Sequence, residues 1–161
     1  MEFINEFAPQ PRDAAGKAHD SYPDIWAAPS APPTQQVSSR NLISAAELLW
    51  QTFEGTNQER ASSVNELVRA TALAPQIDSE GILRWSCPCA TDSDRLLAAC
   101  TATLITAVSD LGWQRLGICA GLDCQDAYVD SDGRGRRRYC SKTCLNRARV
   151  RAYRQRRANR T

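Results

Sequence analysis

The sequence predicts an α+β chain: a mainly helical N-terminal domain carrying a small hairpin, then a four-cysteine module that ends in a basic helix. Three observations predict it. Apolar residues recur at helical spacing between residues 41 and 112. Two close cysteine pairs follow, Cys119 with Cys124 and Cys140 with Cys144. Every acidic residue lies before residue 133, whereas residues 133–161 hold eleven arginines and Lys142. At 161 residues the chain has room for one modest domain and a small appended module, but not for two full domains.

Residues 1–40 contain six of the eight prolines, and residues 28–33 are low in complexity. Proline fixes φ and removes a donor, so this arm is expected to be Pro-rich and largely irregular, with Phe3, Ile4, Phe7, Tyr22, Ile25 and Trp26 available to dock on a core. Ser44 with Glu47 offers a capping box for a first helix through Leu48, Leu49, Trp50 and Phe53. A second helix is predicted over residues 59–73, with Val64, Leu67, Val68 and Thr71 on one face. Residues 76–78 and 82–85 flank Ser79-Glu80-Gly81 and read as a short hairpin. A third helix starts near Thr91, with Asp94 as an N3 carboxylate, and runs to Leu111 before Gly112. These are core spacings, with no sign of a cofactor box.

The spacing Cys119-x4-Cys124, then fifteen residues, then Cys140-x3-Cys144 suits a tetrahedral Zn²⁺ site of four soft ligands. Residues 127–130 and 137–139 are strand candidates around Ser131-Asp132-Gly133, a turn sequence. From Ser141 onward the composition is helical, which places Cys140 and Cys144 where free amides and the helix dipole favour thiolate charge. So small a module cannot bury enough surface to fold alone, and the metal is expected to supply much of its stability. Cys87 and Cys89 straddle Pro88 without a second pair, and Cys100 falls on the apolar face of the third helix. No metal or redox role is expected of these three.

The overall charge of +2 hides a division into −10 before residue 133 and +12 after it. A basic block beside an acidic body points at polyanions. On the last helix Arg147, Arg151 and Arg154 share one side, Arg149, Arg156 and Arg160 another, and Arg157 lies near Tyr153. Leu145, Ala148 and Ala152 form only a narrow apolar strip, too narrow for a membrane-surface helix. Guanidinium groups bind phosphate bidentately and can read guanine edges, and a helix fits the major groove of B-DNA. The groove of an RNA duplex is too narrow for that mode, which favours duplex DNA. No apolar run approaches the ~18–20 residues of a membrane span, and the N-terminus lacks a signal-peptide pattern. The chain is accordingly expected to be soluble and intracellular. The only histidine, His19, lies in the Pro-rich arm, phosphate-cradling glycine loops are lacking, and a four-cysteine site is closed to catalysis. No enzymatic activity is expected.

The run Cys119-x4-Cys124 followed by Arg138-Tyr139-Cys140-Ser141-x-x-Cys144-Leu145-Asn146-Arg147-Ala148-x-Val150-x-x-Tyr153-Arg154 resembles the CGNR zinc finger, a C-terminal module of bacterial proteins. Leu145 stands where that motif has glycine; the cysteines, Asn146 and Arg147 match. The order of helices, hairpin and long helix over residues 1–112 is similar to the ABATE domain that usually precedes this finger. Phe3-Ile4-Asn5-Glu6 is similar to that domain's opening. The resemblance implies a stress-induced transcriptional regulator with Zn²⁺ on Cys119, Cys124, Cys140 and Cys144.

The division read from the sequence is therefore an arm over 1–40, a helical ABATE-like domain over 41–112, and a CGNR-type, treble-clef-like zinc finger with an arginine-rich helix over 113–161. Candidate nucleic-acid contacts are Arg136, Arg137, Arg138, Lys142, Asn146, Arg147, Arg149, Arg151, Arg154, Arg156 and Arg157. The expected function is zinc-dependent DNA binding and transcription regulation in the cytoplasm, at the nucleoid. RNA binding by a zinc-ribbon-like protein, or docking of an acidic protein partner, stays open. A homodimer and a small-molecule effector at the N-terminal domain are compatible with this reading.

Overall fold

A computed structural model describes residues 1–23, 38–131 and 137–159. The expected turn at Asp132-Gly133, and the roles assigned to Ile25, Trp26, Arg136 and Arg160, lie outside the described residues.

Two short helices open the chain, α1 (Glu2–Phe7) and α2 (Pro9–Ala14), where an irregular arm was expected. Pro9 sits in the first turn of α2, where its missing N–H costs nothing. Order here comes from tertiary contacts. Ile4 and Phe7 are buried, and Phe7 stacks on Tyr22 at 5.7 Å between centroids. The buried Arg12 guanidinium donates to the carbonyls of Glu6, Lys17 and Asp20 (3.2, 3.0 and 2.6 Å) and lies 4.0 Å from the Tyr22 ring.

Helix α3 (Ser39–Gln51) starts five residues before the expected cap. Ser38 is the N-cap, its hydroxyl accepting from the Asn41 N–H at 3.3 Å, and Ser44 is exposed within the helix. The buried set Leu42, Ala45, Ala46, Leu49 and Trp50 explains the earlier start, since it spans more than two turns of one face. Helix α4 (Asn57–Thr71) opens on a Thr56/Glu59 capping box and buries Arg60, Val64, Leu67 and Thr71. Strands β1 (Ala74–Ile77) and β2 (Leu83–Ser86) form the expected hairpin, with Ala74 opposite Ser86 and Ile77 opposite Leu83. Asp78 holds its turn, accepting from the Glu80 and Ile82 N–H groups and pairing with Arg84 at 2.9 Å. Those contacts, the Ile82 amide foremost, hold its pKa below the usual aspartate value. Helix α5 (Asp92–Leu111) has the expected Thr91/Asp94 capping box and ends at Gly112, whose φ of 78° favours glycine.

After a 3₁₀ turn at Trp113–Arg115, β3 (Leu116–Ile118) pairs antiparallel with β4 (Ala127–Val129), and α6 (Lys142–Ala158) closes the chain. The expected pairing of residues 127–130 with 137–139 is replaced by this one. Leu116 and Ala127 are buried against the helices, which gives β4 its partner on the N-terminal side. Tyr128 crosses over Gly117, where a Cβ would meet the phenol oxygen at 3.0 Å.

One core runs from Ile4 and Phe7 through Leu49, Trp50, Val64 and Leu104 to Leu116 and Ala127. This core includes residues on both sides of the step from 112 to 113. Three side chains from the first sixty residues reinforce it by gripping the backbone beyond that point. The Asn5 amide donates to the Ala127 carbonyl at 3.0 Å and accepts from its N–H at 2.8 Å. Trp50 Nε1 donates to the Gln125 carbonyl at 2.9 Å. Arg60 donates to the carbonyls of Thr52, Trp113 and Leu116 at 3.1–3.3 Å, with the Trp113 ring 4.7 Å from its guanidinium carbon. Burial lowers the Arg60 pKa from the usual arginine value.

Arg60→Met keeps most of the volume and removes the donors. It should lower unfolding free energy by roughly 3 kcal/mol in urea titrations, since buried carbonyls lose charged donors. A loss within about 0.5 kcal/mol, the range of ordinary surface substitutions, would show that the clamp contributes little.

Candidate metal centre and basic helix

The loop between β3 and β4 is the turn that carries the first cysteine pair. Its base is closed by the Cys119 N–H donating to the Asp126 carbonyl at 2.9 Å. The second pair arrives with α6: Cys140 lies just before Ser141, and the Ser141 hydroxyl caps the helix by accepting from the Cys144 N–H at 3.2 Å. The Sγ atoms of Cys119, Cys124, Cys140 and Cys144 all lie within 4.8 Å of one another. Cys124 to Cys140 is 3.5 Å and Cys140 to Cys144 is 3.6 Å. A tetrahedron of thiolates with Zn–S near 2.3 Å has edges of about 3.8 Å, so the cluster fits such an ion with little rearrangement.

The electrostatics of the cluster match that chemistry. Burial pushes the Cys124 thiol up to about 12, and burial together with the neighbouring Cys124 sulfur raises Cys140 further. The Ser141 hydroxyl lowers Cys144. Without a cation, at least Cys124 and Cys140 hold their protons at neutral pH. Bound, the metal would take their place and balance thiolate charge in a partly buried site. Asp126 Oδ2 lies 3.3 Å from Cys140 Sγ and adds a carboxylate beside the cluster.

Arg137 braces this assembly. It donates to the carbonyls of Tyr139 (2.8 Å), Val129 (3.4 Å) and Cys140, and its guanidinium carbon lies 5.2 Å from the Tyr128 ring. The Tyr128 hydroxyl in turn donates to the Arg137 carbonyl at 2.5 Å. Arg137 is exposed, and these contacts tie β4 to the second cysteine pair. Arg138, Lys142, Asn146 and Arg147 are exposed around the start of α6. Leu145 and Ala148 are half-buried, and every described residue from 149 to 159 is exposed, including Arg149, Arg151, Arg154, Arg156 and Arg157. The roles of Asp126 and Arg137 at the cluster have no signature in the sequence.

The fold and site define a four-thiol metal finger built onto a helical body. Residues 115–157 match the family model described as the CGNR zinc finger, which spans both cysteine pairs and nearly all of α6. No curated protein matches the chain. The donor set, its spacing and this match together support a metal-binding zinc finger over residues 115–157, with a four-cysteine cluster whose chemistry suits Zn²⁺. No helix among the described residues is long and apolar enough to cross a membrane.

Because Cys124 and Cys140 start protonated, zinc uptake near neutral pH should release at least two protons. Affinity should therefore rise with pH, by about 100-fold per unit near neutrality, and fall away in acid. Calorimetry in buffers of different ionisation enthalpy reads that number directly; zinc uptake without proton release would contradict the thiol assignment. Cys140→Ser should abolish stoichiometric zinc and remove hydrogen-exchange protection from residues 137–159. Protection in β3 and β4 should persist, because Asn5, Trp50 and Arg60 hold them independently of the metal.

Proposed function

We propose that this chain is a zinc-dependent DNA-binding transcription regulator whose α6 lies along the duplex. The observation that carries the reading is the exposed second half of α6: residues 149–158 are all exposed and include five arginines and no acidic residue. This half is about 15 Å of helix at 1.5 Å per residue. Arg147–Arg151, Arg151–Arg154 and Arg154–Arg157 are like-charged neighbours at helical spacing, each costing roughly 0.2–0.5 kcal/mol in the isolated helix. A polyanion relieves that repulsion, and counterions released from the nucleic acid drive association. Arg138 and Lys142 extend the basic surface to the metal site.

The treble-clef-like arrangement of a cysteine-bearing hairpin loop and a second pair at a helix start supports this use, since the metal fixes the direction in which α6 projects. The preceding helices serve in this reading as an ABATE-like body that receives an effector or a second copy of the chain. Pairing two fingers would lengthen the DNA site beyond what one short helix reads. No catalytic role is proposed. The protein would work in the bacterial cytoplasm at the nucleoid, as a stress-induced regulator.

Binding of the zinc-loaded protein to duplex DNA, structured RNA and an acidic polypeptide across a salt series tests the proposal. Six arginine–phosphate contacts give a slope of log K against log salt of roughly −5 for B-DNA. Replacing Arg147 and Arg151 with Ala should weaken duplex binding at least about tenfold at low salt and make the slope shallower by about 2. Equal affinity for the variant would remove α6 as the contact surface. Preference for RNA or for the acidic polypeptide would replace the duplex as target.

A further inference from the structure

Cys87 and Cys89 are bonded to each other across Pro88, in the loop that leads from β2 to the Thr91 cap of α5. Their Cα atoms are 5.1 Å apart, within the range a disulfide spans. This bond has little to do as a staple. Disulfide stabilisation grows with the loop it closes, and cysteines two positions apart constrain almost none of the unfolded chain. The elements it joins are already adjacent in sequence and ordered by a hairpin ladder and a capping box.

The rest of the chain says something about its surroundings. Four thiols must stay reduced to bind the metal, so the protein works where sulfur is exposed to ambient thiols. A disulfide that persists beside reduced thiols is commonly one in exchange with them. Access fits that role: Cys87 and Cys89 are half-buried and Pro88 is exposed. Cys100 differs, because burial raises its pKa and leaves little thiolate to react.

We propose that Cys87–Cys89 is a reversible thiol–disulfide exchange site whose co-substrate is a low-molecular-weight thiol. The thiolate of one such molecule attacks one sulfur, breaking the Cys87–Cys89 bond and forming a mixed disulfide; the released cysteine takes up a proton. A second molecule attacks the mixed disulfide and leaves as part of the small-molecule disulfide, and the other cysteine takes up a proton. Two thiols are oxidised and one protein disulfide is reduced to two thiols. The state of the pair reaches the fold through Trp85, which packs with both cysteines against Leu73, Ala98 and Ala102. The site is independent of what α6 binds.

The test equilibrates the zinc-loaded 161-residue chain in glutathione buffers from fully reduced to fully oxidised, followed by alkylation and peptide mass mapping. Cys87 and Cys89 should pass together between doubly alkylated and disulfide forms, reversibly, with unchanged far-ultraviolet circular dichroism and retained zinc. Trp85 fluorescence should follow the same midpoint, and Trp85→Phe identifies its share of the signal. In Cys89→Ser, Cys87 should stop at the mixed disulfide with glutathione. A bond that resists reduction until the chain unfolds would overturn the proposal by making it structural. Two thiols that stay unpaired in oxidised buffer, or a Cys89→Ser variant that takes up no glutathione, would overturn it as well.

Discussion

Burying Arg60 takes a guanidinium out of water, and the fold compensates with carbonyl oxygens and an aromatic face; among the described residues none of its hydrogen-bond partners is a carboxylate. That choice has a geometric consequence. Carbonyls have fixed directions on the backbone, so Thr52, Trp113 and Leu116 must all present theirs to one point. The turn after α3, the 3₁₀ turn and the start of β3 are thereby held in register. A planar fork with several donors suits this task, and a lysine would offer a single point of charge in its place. Asn5 and Trp50 repeat the device at Ala127 and Gln125, where side chains again satisfy inward backbone groups of the finger. The hairpin that carries the first two ligands is accordingly part of the helical body's core.

A metal at the cluster would join unequal partners. Cys119 and Cys124 ride on the anchored β3–β4 loop, whereas Cys140 and Cys144 belong to a segment held by the cluster, the Arg137 brace and the contact of the Ala120 N–H with the Arg138 carbonyl. Thiolate repulsion would drive four sulfurs at this spacing apart unless protons or a cation intervene. Protons keep them neutral but supply only weak S–H contacts, and a divalent cation converts the same atoms into four strong bonds. A bound metal would therefore fix the direction of α6 relative to the body. Within that helix the buried Cys144 and the half-buried Leu145 and Ala148 lie in the first two turns. Leucine at 145 adds an apolar side chain at a position where the finger motif has glycine.

Elements whose cause is local were readable in the sequence. Thr91 with Asp94 caps α5, Gly112 ends it, and the spacing of Val64, Leu67 and Thr71 places the inner face of α4. The cysteine spacing gave the four sulfurs that meet. Elements whose cause is distant were not. Helices α1 and α2 depend on Arg12 reaching three carbonyls and on Phe7 meeting Tyr22, and no local propensity announces either. Strand β3 is three residues long and centred on a glycine, so its alternation is too brief to register, and its partner is decided by burial of Leu116 and Ala127. The Ser131-Asp132-Gly133 sequence suggested a hairpin, yet residues 137–139 meet β4 through the Arg137 side chain in place of a ladder. Ser44 with Glu47 matched a cap by spacing alone, while Ser38 made the cap because the buried face begins at Leu42.

Charge is segregated between α6 and the body that precedes it. A helix with this many guanidinium groups would lower its energy by folding back on the body, where all the acidic residues lie. The fold instead uses acidic groups locally: Asp78 on Arg84 and on its own turn, Asp92 on Arg95, Glu59 and Asp94 on their N-caps. Asp126 is drawn to the cysteine cluster, and the carbonyl of Asp130 accepts from Arg115. Contacts made this way are short in range and spread over separate turns and caps of the body. Mutual repulsion between a dispersed acidic body and any phosphate backbone then favours approaches that lead with α6. In the proposed complex the acidic body would thus orient the molecule on a polyanion, through the field of the whole chain rather than through a contact.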